Sequence, residues 1–255
     1  MDRRPLKRQS ERYQIEKNLV GMSKVAQKPT AKNSGGQPEE LAQPGINPAQ
    51  QNRSRANFAA LIRAGREELN EKSLSQVRIE DLVHRAGTSV GAFYNRFTNK
   101  EAFFSAIQTI TVNEVFEVLE TEITRIAEIE GDESMLEELA GVWVHAYRNH
   151  KPIYIASARH VALNRNAWDP FRKLGQAATA LVVENIGPRL RSSGVQEADR
   201  LVQEALQIVN GTLLNSVLNN PGPVSIGDPK MVVNVSKILK CFLANDECGG
   251  PDVKT

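Results

Sequence analysis

The sequence predicts an all-α protein, with an N-terminal three-helix helix-turn-helix domain joined to a larger helical domain. Three observations carry this expectation. From Arg53 onward apolar residues recur at three- and four-residue spacing, the period of an amphipathic helix, with no convincing strand pattern. Turn-forming clusters such as NEKSLSQ, EGDES and NNPGPVSIGDP separate the periodic runs. The run from Ala86 to Phe104, AGTSVGAFYNRFTNKEAFF, is too short and too polar for an ordinary core helix, so it marks an element presented to something else.

Residues 1–52 are rich in Gln, Lys, Arg, Pro, Gly and Asn, which predicts a disordered basic tail, because so little apolar surface cannot offset the entropy of ordering. A small helical domain is expected at 53–100, a larger helical domain at 101–245, and a C-terminal tail at 246–255. The first helix is expected over 54–70, with Phe58, Leu61, Ile62 and Leu69 on one face. RIEDLVHRA is the second, with Ile79, Leu82 and Val83 inward and Gly87 supplying the left-handed residue that ends it. Ser89 caps the third, 90–97, whose inward positions are Val90, Phe93 and Phe97. Thr98 and Glu101 form a capping box at the start of a long helix over 100–129.

Beyond it, helices are expected over 135–150, after Pro152, over 169–190 with an interruption near Gly187-Pro188, over 197–218 and over 229–243. The last two are unusually apolar. Val202, Leu206, Val209, Leu213 and Val217 on one, and Val235, Ile238 and Phe242 on the other, are the expected contacts of a symmetric four-helix dimer interface.

Composition narrows the function. The two cysteines, Cys241 and Cys248, have no metal or redox spacing, so no zinc site or disulfide scaffold is expected. His84, His145, His150 and His160 fall in no metal-binding pattern, and GxSxG, P-loop and GxGxxG signatures are absent. The expectation is a protein that is not an enzyme and uses no metal or cofactor. With no apolar leader and no bilayer-length apolar run, a soluble cytoplasmic protein without membrane contacts is expected.

Charge is unevenly spread. Residues 1–52 hold nine Lys and Arg against five Asp and Glu, residues 53–100 again nine against five, and residues 101–255 fourteen against twenty. A basic front on an acidic body fits one end meeting a polyanion. Two short helices joined by a Gly-containing turn form a helix-turn-helix, whose second helix enters the DNA major groove. The side chains suit that use. Gly91 and Ala92 let backbone approach the groove; Ser89 and Asn95 suit base edges or phosphates; Thr88 or Ala92 offers a methyl to thymine; Tyr94, Arg96 and Lys100 suit flanking phosphates.

The run Phe58 to Phe104, densest in IEDLVHRAG, SVGAFYNRF and NKEAFF, resembles the DNA-binding domain of TetR-type (tetracycline-repressor-like) transcriptional regulators. Arg78 stands where such proteins commonly carry Thr, which removes a cap and adds a charge suited to phosphate. Asn70, Ser73 and Thr88 likewise replace the usual aromatic, Gly and Val. The resemblance implies a homodimer on a pseudo-palindromic operator in double-stranded DNA, with an unknown small-molecule effector that releases a repressor. The alternative is an effector-independent dimeric regulator or architectural protein. Effector candidates are Phe116, Trp143, Tyr147, Tyr154 and Trp168, with His145 and His160 as polar partners.

Overall fold

The computed structural model describes residues 48–161 and 164–243, so the expected tails fall outside it except where the first helix reaches back to Pro48. Among the described residues the structure is helical with no strand. The helices are α1 (Pro48–Glu71), α2 (Ile79–Arg85), α3 (Val90–Tyr94), α4 (Lys100–Ala127), α5 (Asp132–Asn149) and α6 (Lys151–His160). A 3₁₀ turn at Arg165–Trp168 leads to α7 (Asp169–Asn185), α8 (Gly187–Ser192), α9 (Ala198–Leu218) and α10 (Lys230–Leu243). The interruption expected at Gly187-Pro188 is the α7–α8 break. Two compact units divide between Ile110 and Thr111, inside α4.

In the first unit, Leu61, Ile62 and Leu69 of α1 and Leu82 and Val83 of α2 bury their side chains, as the period required. Gly65 sets how closely α1 and α4 approach. A Cβ there would lie 2.5 Å from Phe103 Cζ and 2.7 Å from Ile107 Cδ1, so only glycine leaves room. Beside it the Glu68 carboxylate, 1% exposed, accepts from Lys72 at 2.9 Å and pairs with Arg85 at 2.9 Å, which ties α1 to α2. A buried charge persists only when paired in this way. A polar residue within an apolar run gave no sequence signal for that pairing.

The second unit is a helical bundle in which α10 packs on α5 and α9, and α9 also packs on α6 and α7. Its core holds Ile123, Ile126, Met135, Leu139, Val182, Val202, Val209, Leu213, Val235 and Leu239. This corrects one expectation. Val202, Leu206, Val209, Leu213, Val217 and Val235 are buried in the chain's own core and cannot face a second copy, while Ile238 and Phe242 are half-buried. The apolar stripe was broad because α9 packs on five other helices of its own unit. The opposite faces of α9 and α10 carry Ile208, Leu218 and Val233, all exposed. Arg189 fastens α8 to the start of α5 through Asp132 at 2.7 Å and the Ile129 carbonyl. Among the described residues no helix is long and apolar enough to cross a membrane.

Candidate nucleic-acid interface

The turn between α2 and α3 is built by backbone chemistry. Gly87, at φ +63°, donates its N–H to the His84 carbonyl at 3.1 Å, and Thr88 donates to Val83 at 2.9 Å. These two bonds are the Schellman pattern, which satisfies the last carbonyls of a helix and needs a left-handed residue at the glycine. The Ser89 hydroxyl then accepts from Ala92 N–H at 3.2 Å and caps α3, as its position in the sequence predicted.

Helix α3 is five residues long, shorter than the expected 90–97, and is held from below by aromatic rings. Phe93 is fully buried. Its ring centroid lies 5.3 Å from Phe97 and 5.4 Å from Phe103, with Phe97 5.0 Å from Phe103 and 6.1 Å from Phe58. Val90 was expected inward but is 39% exposed; two phenylalanines suffice as anchors because they dock on rings from α1 and α4. Opposite the anchors, Gly91, Tyr94 and Asn95 share one exposed face. A Cβ on Gly91 would meet nothing nearer than Ser89 Oγ at 3.9 Å, so the protein's own packing does not require glycine there.

The remaining DNA candidates divide by what they already hold. Arg78 is exposed and makes only a long 3.9 Å pair with Glu80, also exposed. Thr88 and Ala92 are half-buried at the edges of the face. Arg96 donates from one guanidinium nitrogen to the backbone and side-chain oxygens of Ser54 and lies 5.6 Å over the Phe58 ring, so it also braces α1. Lys100 Nζ donates to the carbonyls of Ser75 and Val77, each at 3.1 Å, in the segment joining α1 to α2. The expected Thr98–Glu101 box gives way to Asn99, whose side-chain oxygen accepts from Ala102 N–H at 2.7 Å and caps α4.

In the second unit, three of the five effector candidates pack against one another, and Trp143 joins them through Asn210. Tyr147 stacks on Tyr154 at 4.7 Å, and Tyr154 and Trp168 meet Phe171 at 4.6 and 5.3 Å. Trp143 Nε1 and the Tyr147 hydroxyl both donate to Asn210 Oδ1, at 2.9 and 3.0 Å. Burial raises the phenol pKa of Tyr147 and of Tyr154 above the ordinary tyrosine range, so both stay neutral. Phe116 lies half-buried on α4, apart from these ring contacts.

A groove of about 640 Å³ lies on the other face of α5, lined by Val115, Val118 and Leu119 of α4, Gly141, Val142 and His145 of α5, and Val232 of α10. Arg125, bridged to Glu122 and Glu138 at 2.9 Å each, belongs to its wall. His145 is the one polar effector candidate that lines it. Sequence reasoning ranked sites by aromatic content and so pointed to the packed cluster; the groove is walled by valines spread over three helices and has no local signature.

A short helix presented on a helix-turn-helix frame, followed among the described residues by a helical second unit, is the arrangement with which DNA-binding proteins enter a major groove. Residues 61–107 match the family described as bacterial regulatory proteins, tetR family, and the match spans the helix-turn-helix. Among solved structures, a TetR-family transcriptional regulator from Mesorhizobium loti is similar with a TM-score of 0.64 at 16% identity, over 75% of this chain and 97% of its own. The fatty acid degradation regulator FadR from Bacillus halodurans gives 0.56 at 15% identity, over 75% and 96%. A TetR-family regulator from Streptomyces coelicolor gives 0.53 at 15%, over 74% and 79%. At such identities the likeness is one of fold. No curated protein matches the sequence.

Proposed function

We propose that the protein binds a pseudo-palindromic operator as a homodimer through α3, and represses transcription until a small molecule enters the second unit. The observation that carries the DNA reading is the exposed Gly91–Tyr94–Asn95 face, held rigidly by Phe93 and Phe97 with a glycine that the fold itself does not need. Gly91 gives the backbone clearance in the major groove, Asn95 reads a base edge, and Tyr94 and Arg78 meet flanking phosphates. Two copies of α3 then sit about 34–36 Å apart, one turn of DNA.

The effector reading is supported by the groove between α4 and α5. Its volume falls within the ~300–1,000 Å³ common for ligand sites, whereas the aromatic cluster is already filled by its own rings. Helix α4, whose later residues line the groove, is the proposed route by which a bound ligand would act on DNA binding. Release requires the ligand to bind the non-DNA-competent state more tightly.

Selection from a random duplex pool by the full-length protein tests the DNA reading. An enriched two-fold sequence is expected, and no enrichment would overturn it. For the effector, Gly141→Leu is the probe, because a Cβ at Gly141 enters open space. It should keep operator binding while abolishing the response to any metabolite that dissociates the wild type. A preserved response would move the effector elsewhere.

A further inference from the structure

We infer that Val90 reads the C5 methyl of a thymine and so sets one operator position; this rests on the DNA reading above. Val90 opens α3 and is 39% exposed, whereas Thr88 and Ala92, the residues expected from sequence to offer a methyl, are half-buried. It lies one helical turn before Tyr94, flanking the exposed face that Gly91 and Asn95 share. Neither packing nor helix formation accounts for a valine there. Phe93 and Phe97 already anchor the helix from below, and a β-branched residue loses rotamer freedom in a helical turn. Single exposed valines are common on protein surfaces, but this one stands on the first turn of α3, the part of a recognition helix that meets base edges.

The chemistry of the major groove restricts what Val90 can recognise. Base edges there present hydrogen-bond donors and acceptors and a single apolar group, the C5 methyl of thymine. A valine carries two methyls and no polar atom, so it gains from that group alone; against any other base it displaces water from a polar edge without replacing its hydrogen bonds. Branching at Cβ holds Val90 to one preferred rotamer in a helix, so its methyls are aimed before DNA arrives. Gly91 follows it and adds no side chain to hold the valine off the base edge. From Val90 to Asn95 the chain rises about 7.5 Å, so with α3 lying along the groove the methyl is read about two base-pair steps from the base that Asn95 meets.

The test uses the duplex selected by the full-length protein, with each thymine in turn replaced in both half-sites by deoxyuridine, which lacks only the methyl. Each duplex is titrated with the wild type and with Val90→Ala. In the wild type one position should lose about fourfold in affinity per half-site, the worth of one buried methyl. That position should lie about two base pairs from the one whose preference relaxes in Asn95→Ala, and Asn95→Ala should keep the full deoxyuridine loss. In Val90→Ala the loss should fall below about twofold, with the melting temperature unchanged because the side chain is exposed. An equal loss in both proteins is the mark of altered DNA deformability rather than of a contact, and it would overturn the inference while leaving the recognition helix intact. So would a wild type that loses nothing at any thymine. Failure of the wild type to select any sequence would overturn both readings together.

Discussion

The ammonium of Lys100 has three N–H bonds, and two of them go to the carbonyls of Ser75 and Val77. That leaves one for a phosphate, so the residue both braces the α1–α2 connection and offers charge to DNA. Lys100→Met keeps the stem and removes the donors. It should lower stability by about 1–3 kcal/mol, because two carbonyls lose their partners, and should weaken operator binding equally across sequences. An unchanged melting temperature would dismiss the bracing role. Asn95 sits on the exposed face and its side chain carries no such duty, so Asn95→Ala should leave melting unchanged and relax preference at one operator position by ~1–3 kcal/mol. Loss spread evenly over all positions would make Asn95 a phosphate contact instead. The charged residues Arg96 and Lys100 were legible in sequence as candidates, but not their carbonyl and Ser54 partners, because those lie 42 and up to 25 positions away in the chain.

At the scale of elements, two glycines inside helices behave in opposite ways for a steric reason. In an exposed helix interior Gly→Ala stabilises by about 1 kcal/mol. Gly141→Ala should follow that rule, since its Cβ meets nothing within 4 Å. Gly65→Ala should reverse it and destabilise by about 1–3 kcal/mol, because the new methyl would drive into the Phe103 ring and Ile107. Denaturant unfolding of both variants checks the pair; stabilisation at Gly65 would mean that α1 and α4 are not held at this spacing. Helices α2 and α3 were readable in advance because their ends are local events, a left-handed glycine and a serine cap. The end of α3 and the cap of α4 moved by a few residues, since Asn99 outcompetes Thr98 for the same orphan donors.

For the whole molecule, the proposed homodimer would use an apolar face that the core leaves uncovered. Ile208 is 44% exposed on α9 and Val233 52% exposed on α10, and Gly211 of α9 has open space at its Cβ, so a second helix can approach closely there. Ile208→Asp should convert a dimer to a monomer in sedimentation at micromolar concentration, and operator affinity should collapse with it, since each half-site then binds alone. A variant that stays dimeric would place the interface on another face.

Helical period, glycine and serine punctuation and the small residues of α3 are properties of neighbouring positions, and from them the sequence by itself determined the all-α class, the helix-turn-helix and the candidates on the exposed face of α3. Which apolar stripe becomes core and which faces solvent depends on how many neighbours a helix acquires, and that is decided only when the chain closes on itself. For that reason Val202 and its companions went inward, four aromatic residues filled one another's space, and the open groove appeared on the far side of α5, walled by residues drawn from three separate helices.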